Sequence, residues 1–261
     1  MTNPENTTTP FRQGPAVVTG GNAGIGLAIA RELASAGRPV ALLARNEKAG
    51  HEAVASLGPG HVFIPCNVSD EARVAQAMQA VANQLGLVEV LVNNAGIGAS
   101  EDAAKLTSAA WDAFFAVDLK GAWLCVKYAL PQMRERGGGS IINISSIHAQ
   151  MTRPGMFPYA AAKAGMLGLT RSLALDLGPE NIRVNAVCPG YIRTSPIVAL
   201  YGERPDAAEA WGRLNSVHPL RRVGEAEEVA SVVGFLASAR ASIVTGATWA
   251  VDGGLSARFA T

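Results

Sequence analysis

Short apolar runs that alternate with longer stretches of helical period constrain this chain more than any other feature. Seven such runs occur, at Pro15–Thr19, Pro39–Ala44, His61–Pro65, Val88–Asn93, Ser140–Ser145, Ile182–Val187 and Ala247–Val251. Several are apolar on consecutive positions, as strands covered on both faces tend to be. Between them the helical period predicts helices at Gly24–Ala36, Glu47–Leu57, Asp70–Leu85, Ser108–Arg134, Met156–Leu177 and Glu225–Ala237. Asn46 and Ser69 stand where N-caps belong. Repeated strand, helix, strand is the pattern of βαβ units, so the expected fold class is α/β, a doubly wound parallel sheet of about seven strands with helices on both faces.

The rhythm never breaks long enough to mark a domain boundary, and residues 15–261 read as one domain. Residues 1–14, MTNPENTTTPFRQG, are polar, lack the basic start and apolar core of a signal peptide, and read as a disordered arm. The exception to the rhythm is Ser195–Val223, read as an irregular insertion that serves as a lid over a binding site.

Charge narrows the function classes. Twenty-two basic residues against 21 acidic ones give a net charge of +1, which supplies no electrostatic footprint for nucleic acid or an anionic membrane. The three cysteines, Cys66, Cys125 and Cys188, are odd in number and lack metal-ligand spacing, which fits a reducing, cytoplasmic setting and no metal centre. No apolar run approaches the roughly 18–20 residues of a membrane span.

Directly after the first run comes Thr19-Gly20-Gly21-Asn22-Ala23-Gly24-Ile25-Gly26, leading into a helix. Glycines there let the turn tighten and the backbone approach a pyrophosphate, whose charge suits the free N–H groups and positive dipole end of the helix. A tight turn without a ligand has the same glycine spacing.

The loop reads T-G-x-x-x-G-x-G. Asn93-Asn94-Ala95-Gly96 ends the fourth run, Ser146 follows the fifth, and Tyr159-Ala160-Ala161-Ala162-Lys163 lies in the next helix. Pro189-Gly190-Tyr191-Ile192-Arg193-Thr194 and Val251-Asp252-Gly253-Gly254 come later. With these motifs in this order, the chain resembles the short-chain dehydrogenase/reductase family from about Gly14 to Gly254. The resemblance implies a Rossmann-type domain and an NAD(P)-dependent oxidoreductase that interconverts a secondary alcohol and a carbonyl by hydride transfer. It places the cofactor on Gly20, Asn22, Ala23, Gly24, Ile25, Gly26, Asn67, Val68, Asn94, Ala95, Gly96, Tyr159, Lys163, Pro189, Gly190, Ile192 and Thr194.

It also implies roles for the catalytic residues: Tyr159 as acid/base, Lys163 on the nicotinamide ribose, and Ser146 orienting the substrate oxygen. Tyr159 and Lys163 are i, i+4 on one helix face. A tyrosine pKa of about 10 is high for proton transfer at neutral pH, and a nearby cation favours the phenolate. Ser145 is the competing serine, but alternation places it on the opposite face from Ser146. A related enoyl-reductase group spaces its tyrosine and lysine seven apart, so the spacing here disfavours carbon–carbon double-bond reduction.

Two positions depart from the family pattern. Val117-Asp118-Leu119-Lys120-Gly121 carries Asp118 where the family has a catalytic asparagine; the carboxylate either supports Lys163 as a cation or only shapes a helix. Asn67 replaces an aspartate that accepts from the adenine amino group, a bond an amide carbonyl can still accept. At the end of the second run, Ala44-Arg45 has no acid for a ribose 2′-hydroxyl, while the Arg45 guanidinium suits a 2′-phosphate. NADP(H) is therefore expected over NAD(H).

Substrate contacts are expected from His148, Arg153, Phe157 and Trp211, a mix suited to a sugar or other polar hydroxy compound. A 3-oxoacyl thioester reductase is the alternative, and a non-catalytic dinucleotide-binding regulator a third. The resemblance further implies a homo-oligomer, tetramer or dimer, through the helices near 108–134 and 156–177 and the last strand. Trp123 and Met166 are candidates for the contact face.

Overall fold

The structure is a computed structural model that describes residues 13–98, 101–202 and 204–258. The arm expected to be disordered lies, over residues 1–12, outside the described residues. Gly14 is already tied down, its carbonyl accepting from Arg38 Nη1 at 2.6 Å.

All seven apolar runs are strands: β1 Ala16–Thr19, β2 Val40–Ala44, β3 Val62–Pro65, β4 Val90–Asn93, β5 Gly139–Ile144, β6 Ile182–Pro189 and β7 Thr248–Val251. They form one parallel sheet in the order β3-β2-β1-β4-β5-β6-β7. Alternate residues feed opposite faces. Ala16, Val18, Val40 and Leu42 pack on one side, while Val17, Ala41 and Leu43 pack on the other. Both layers are apolar, which is why the strands read as continuous runs.

The helices are α1 Gly24–Ser35, α2 Glu47–Ala55, α3 Glu71–Leu85, α4 Ser108–Phe115, α5 Gly121–Arg136, α6 Tyr159–Leu177, α7 Ser195–Gly202, α8 Ala207–Ser216 and α9 Ala226–Ala237. Apolar residues of α1 and α9 cover the first face, those of α3, α5 and the end of α6 the second. A fully buried aliphatic side chain contributes about 1.5–3 kcal/mol, and both layers are built of such residues.

Four boundaries differ from expectation, each for a local reason. The stretch expected as one helix from Ser108 to Arg134 is two, joined by a π turn at Ala116–Lys120 that contains Asp118. The helix expected from Met156 begins at Tyr159, because the residue before Pro158 is held out of the α region. Asp70, not Ser69, caps α3 by accepting from Arg73 N, and Ser69 instead bonds Asn67. The insertion expected to be irregular contains α7 and α8, two short helices that pack on each other. Asn46 caps α2 as expected.

Candidate active site

The strand order reverses between β1 and β4, and in doubly wound sheets ligands bind at the carboxyl ends of the strands flanking such a reversal. Here those two ends are braced together. Thr19 Oγ1 accepts from Asn94 N and Ala95 N, both at 3.0 Å, and Asn94 Nδ2 donates to Thr19 O at 3.0 Å and Gly20 O at 3.2 Å. Gly26 sits beneath the brace, where a Cβ would come within 2.3 Å of Gly20 O. Gly20 has φ +63° and Gly24 +51°, values that L side chains rarely adopt.

Helix α1 has Ala23 at its N-cap, with no side-chain cap and no acid in its first turn, whereas Asn46, Asp70 and Thr107 cap α2, α3 and α4. Its free N–H groups and positive end thus face the crevice without an internal acceptor, as an anion site requires.

Two cavities meet along this crevice and share Asn94, Gly96 and Ile97. The smaller, about 220 Å³, is lined by Gly20, Asn22, Ala44, Arg45, Asn67, Val68 and Ala95 among others. Among the described residues, its wall has no carboxylate, and its single charged residue is the exposed Arg45. Asn67 Oδ1, the atom expected to meet an adenine amino group, accepts from Ser69 N at 3.3 Å and Ser69 Oγ at 3.0 Å, so the residue also builds its own turn.

The larger cavity, about 590 Å³, is lined by Ser146, Tyr159, Lys163 and Asp118 together with Ile25, Pro189, Gly190, Ile192 and Thr194. Alternation past the end of β5 separates the two serines. Ser145 Oγ donates to Lys163 O at 2.8 Å and fastens α6 to the sheet. Ser146 Oγ accepts from His148 N at 3.2 Å, which leaves its O–H able to donate into the cavity. Lys163 is 4% exposed, donates to Ile144 O at 3.4 Å, and lies with Nζ 5.5 Å from the Tyr159 ring centre.

Asp118 is fully buried in its π turn. Its Oδ1 accepts from Ile97 N at 2.8 Å, and its Oδ2 faces Lys163 Nζ at 3.3 Å. Burial pushes the carboxyl above the usual range, against the pull of Lys163 and the Ile97 N–H. The residue thus sits inside the π turn while its carboxylate lies within ion-pair distance of the lysine. A Cβ on Gly96 would lie 3.0 Å from Asp118 Oδ2 and 3.2 Å from Lys163 Nζ, so any larger residue there would press on this pair.

The expected substrate residues divide. His148 and Arg153 line the large cavity; Phe157 and Trp211 do not. Phe157 lies 5.9 Å from Trp111, and Trp211 on α8 is covered by the Arg193 guanidinium at 4.7 Å. Helix α7 brings Ile197, Leu200 and Tyr201 to the cavity instead. Burial and the Arg153 charge hold His148 below the usual histidine pKa. Of the glycine loop, Gly20, Asn22 and Ile25 line the cavities, while Ala23, Gly24 and Gly26 are not among the lining residues. Of the expected contact face, Met166 is 1% exposed and belongs to the interior, while Trp123 is 42% exposed.

Sequence reasoning did not anticipate a buried ladder that holds α6 on the sheet. Asn93 Nδ2 donates to Asn143 Oδ1, Asn143 Nδ2 to Thr170 Oγ1, both at 2.9 Å, and Thr170 Oγ1 to Met166 O at 2.8 Å. The available signal was an asparagine inside each of two apolar runs, polar where a core strand should be apolar.

A family model described as Enoyl-(Acyl carrier protein) reductase matches residues 20–256. The chain is 40% identical to cis-4-hydroxycyclohexanecarboxylate dehydrogenase of Sinomonas cyclohexanicum over 95% of its own length and 98% of the relative's. It is 38% identical to 3-oxoacyl-[acyl-carrier-protein] reductase of Staphylococcus aureus, over 92% and 97%. Among solved structures, a variant of actinorhodin polyketide ketoreductase with NADPH superposes at a TM-score of 0.89 with 33% identity, over 94% of this chain and 98% of that one. These relatives' names specify hydroxy and oxo compounds, in keeping with the four-residue spacing of Tyr159 and Lys163. The chain belongs to the short-chain dehydrogenase/reductase family and is an NAD(P)-dependent oxidoreductase of alcohols and carbonyls.

Proposed function

We propose that Tyr159 is the acid/base of this oxidoreductase, with Ser146, Lys163 and Asp118 as its supporting groups. The observation that carries the reading is the gathering of all four in one cavity beside the uncapped start of α1. When bound, the nicotinamide supplies or accepts the hydride. The Ser146 O–H donates to the carbonyl oxygen and aligns it with the Tyr159 O–H, which delivers the proton as negative charge develops on that oxygen. The buried Lys163 ammonium offsets the charge left on Tyr159. Asp118, held by the Ile97 N–H, keeps that ammonium in place. Tyr159→Phe should retain cofactor binding and lose about 10²–10⁴-fold in kcat. Undiminished turnover by that variant would remove Tyr159 from the role.

For cofactor choice, the acid-free wall of the smaller cavity and its single cation support NADP(H). A guanidinium–phosphate contact is a charge-assisted bond, so kcat/KM with NADPH should exceed that with NADH by about tenfold or more. Equal or better use of NADH would reverse the assignment.

For substrate, the mixed polar and apolar lining supports a polar hydroxy or oxo compound, and the 40% identical relative is named for one. Reduction of a 3-oxoacyl thioester is the second reading, favoured by the 38% identical reductase. Turnover of both classes, coupled to nicotinamide absorbance, separates them. The exposed Trp123 and the edge strand β7 support a homo-oligomer, and a monomeric mass in solution would count against it.

A further inference from the structure

We infer that Arg153 anchors a carboxylate on the substrate, so that the enzyme acts on a hydroxy or oxo acid whose carboxylate and reacting carbon are separated by a compact apolar body. This rests on the reading of the larger cavity as the site of reaction.

The charges in that cavity lead to it. Asp118 and Lys163 answer each other at 3.3 Å. His148 is held toward its neutral form by burial and by Arg153. What remains among the lining residues is the positive charge of Arg153, which is exposed. Its Nε donates to Tyr191 Oη at 3.2 Å and its Nη1 to Pro154 O at 3.4 Å, while Nη2 has no partner among the described residues.

Nearby arginines differ. Arg193, Arg204, Arg213 and Arg222 each hold a carboxylate of the chain, at 3.1, 2.8, 2.9 and 2.6 Å. Arg153 is instead oriented by a phenol and a carbonyl, which fix the fork without neutralising it. Ile97, Ile144, Met156 and Ile192 add apolar wall to the same cavity. The cavity wall thus combines one exposed cation, apolar side chains and the Ser146 and Tyr159 hydroxyls. One guanidinium balances a monoanion, whereas a phosphomonoester, with a charge of about −1.5 to −2, would leave part of its charge unanswered.

The test compares 4-oxocyclohexanecarboxylate with its neutral ethyl ester as substrates. Within each enzyme variant the ratio of the two kcat/KM values is read, so that any loss common to both cancels. Arg153→Gln should lower the acid-to-ester ratio by about tenfold, the modest size reflecting exposure of the guanidinium. Arg153→Lys should keep part of the preference, since the charge persists while the fork is lost. An unchanged ratio in Arg153→Gln overturns the inference.

A second measurement does not depend on turnover or on a variant that folds. Unreactive cyclohexanecarboxylate should bind the wild-type cofactor complex about tenfold more tightly than cyclohexanecarboxamide, and equal affinities would also overturn the inference. Turnover of cyclohexanone with no such preference would sink the anchor and leave the proposed function standing. Tight, Arg153-dependent binding of the acid, with no ketone reduced and none of the matching alcohols oxidised, would support the anchor and bring down the catalytic reading.

Discussion

Gly26→Ala tests whether the crevice is built by the brace between β1 and β4. Alanine is normally the better helix residue by about 1 kcal/mol, so propensity alone predicts a gain. The surroundings predict the reverse. A Cβ at Gly26 would lie 2.3 Å from Gly20 O and 2.5 Å from Asn94 Nδ2, so the loop or the Asn94 amide must move. Overpacking of this kind costs about 1–3 kcal/mol. Displacing Asn94 also loosens its bonds to Thr19 O and Gly20 O, each contributing about 1 kcal/mol. The net expectation is a loss of about 2–4 kcal/mol, which at about 2–4 °C per kcal/mol for a chain of this size lowers Tm by about 5–15 °C. Because the same atoms shape the turn before α1, cofactor affinity should fall with it. The assay is thermal unfolding with and without NADPH, alongside a fluorescence titration of the cofactor. Gly212→Ala is the matched control, an exposed helical glycine whose added Cβ meets nothing within 4 Å, and it should be neutral or stabilising. Equal Tm and cofactor affinity in Gly26→Ala and the wild type would refute the brace as the reason glycine is needed there.

Other consequences are open to measurement. Asp118 has its native pKa raised above the unfolded value of 3.8, so it binds its proton more tightly when folded. Its contribution to stability is complete below the unfolded pKa and is lost as pH rises through the native one, each tenfold gain in proton affinity on folding being worth about 1.4 kcal/mol. The difference in unfolding free energy between wild type and Asp118→Asn should therefore drift against the wild type as pH rises above the unfolded value of 3.8; a constant difference in urea titrations contradicts this. Arg38 is 5% exposed and bonds Gly14 O and Glu89, so Arg38→Leu should cost about 3 kcal/mol through the partners left behind, read as a shift in urea midpoint. Asn143→Ala breaks the ladder under α6 in two places and should lose about 2–3 kcal/mol while lowering kcat, because Tyr159 and Lys163 ride on that helix. Full activity in a destabilised Asn143→Ala would separate the ladder from the site.

The architecture was legible in the order of residues because its signals are local. Each strand is a short run flanked by turn residues, and each long helix carries its own period and punctuation. The glycine loop, Ser146, Tyr159 and Lys163 were legible for the same reason, as fixed spacings on single elements whose direction follows from strand alternation and helical pitch. The misreadings fall where local signals compete or are weak. A π turn differs from an α-helix by one residue in the hydrogen-bond ladder, and no composition rule marks Ala116–Lys120. Helices α7 and α8 are eight and ten residues long, too short for their period to stand out from the proline and arginine around them.

Only the tertiary structure decided what faces what. Sequence nominated Asp118 by its place in a family motif, but Arg153, Phe157 and Trp211 only as charged or aromatic residues of segments expected to line the pocket. Packing put Asp118 against Lys163, left Arg153 exposed in the cavity's lining, set Phe157 against Trp111, and placed Trp211 behind the cavity wall against Tyr201. Period and spacing tell on which side of its own element a residue stands. Which other element lies on that side depends on contacts between residues 21 to 75 positions apart, as in Ile97 with Asp118 and Thr19 with Asn94. Burial, and with it the strength of a charge, exists only after those contacts have closed.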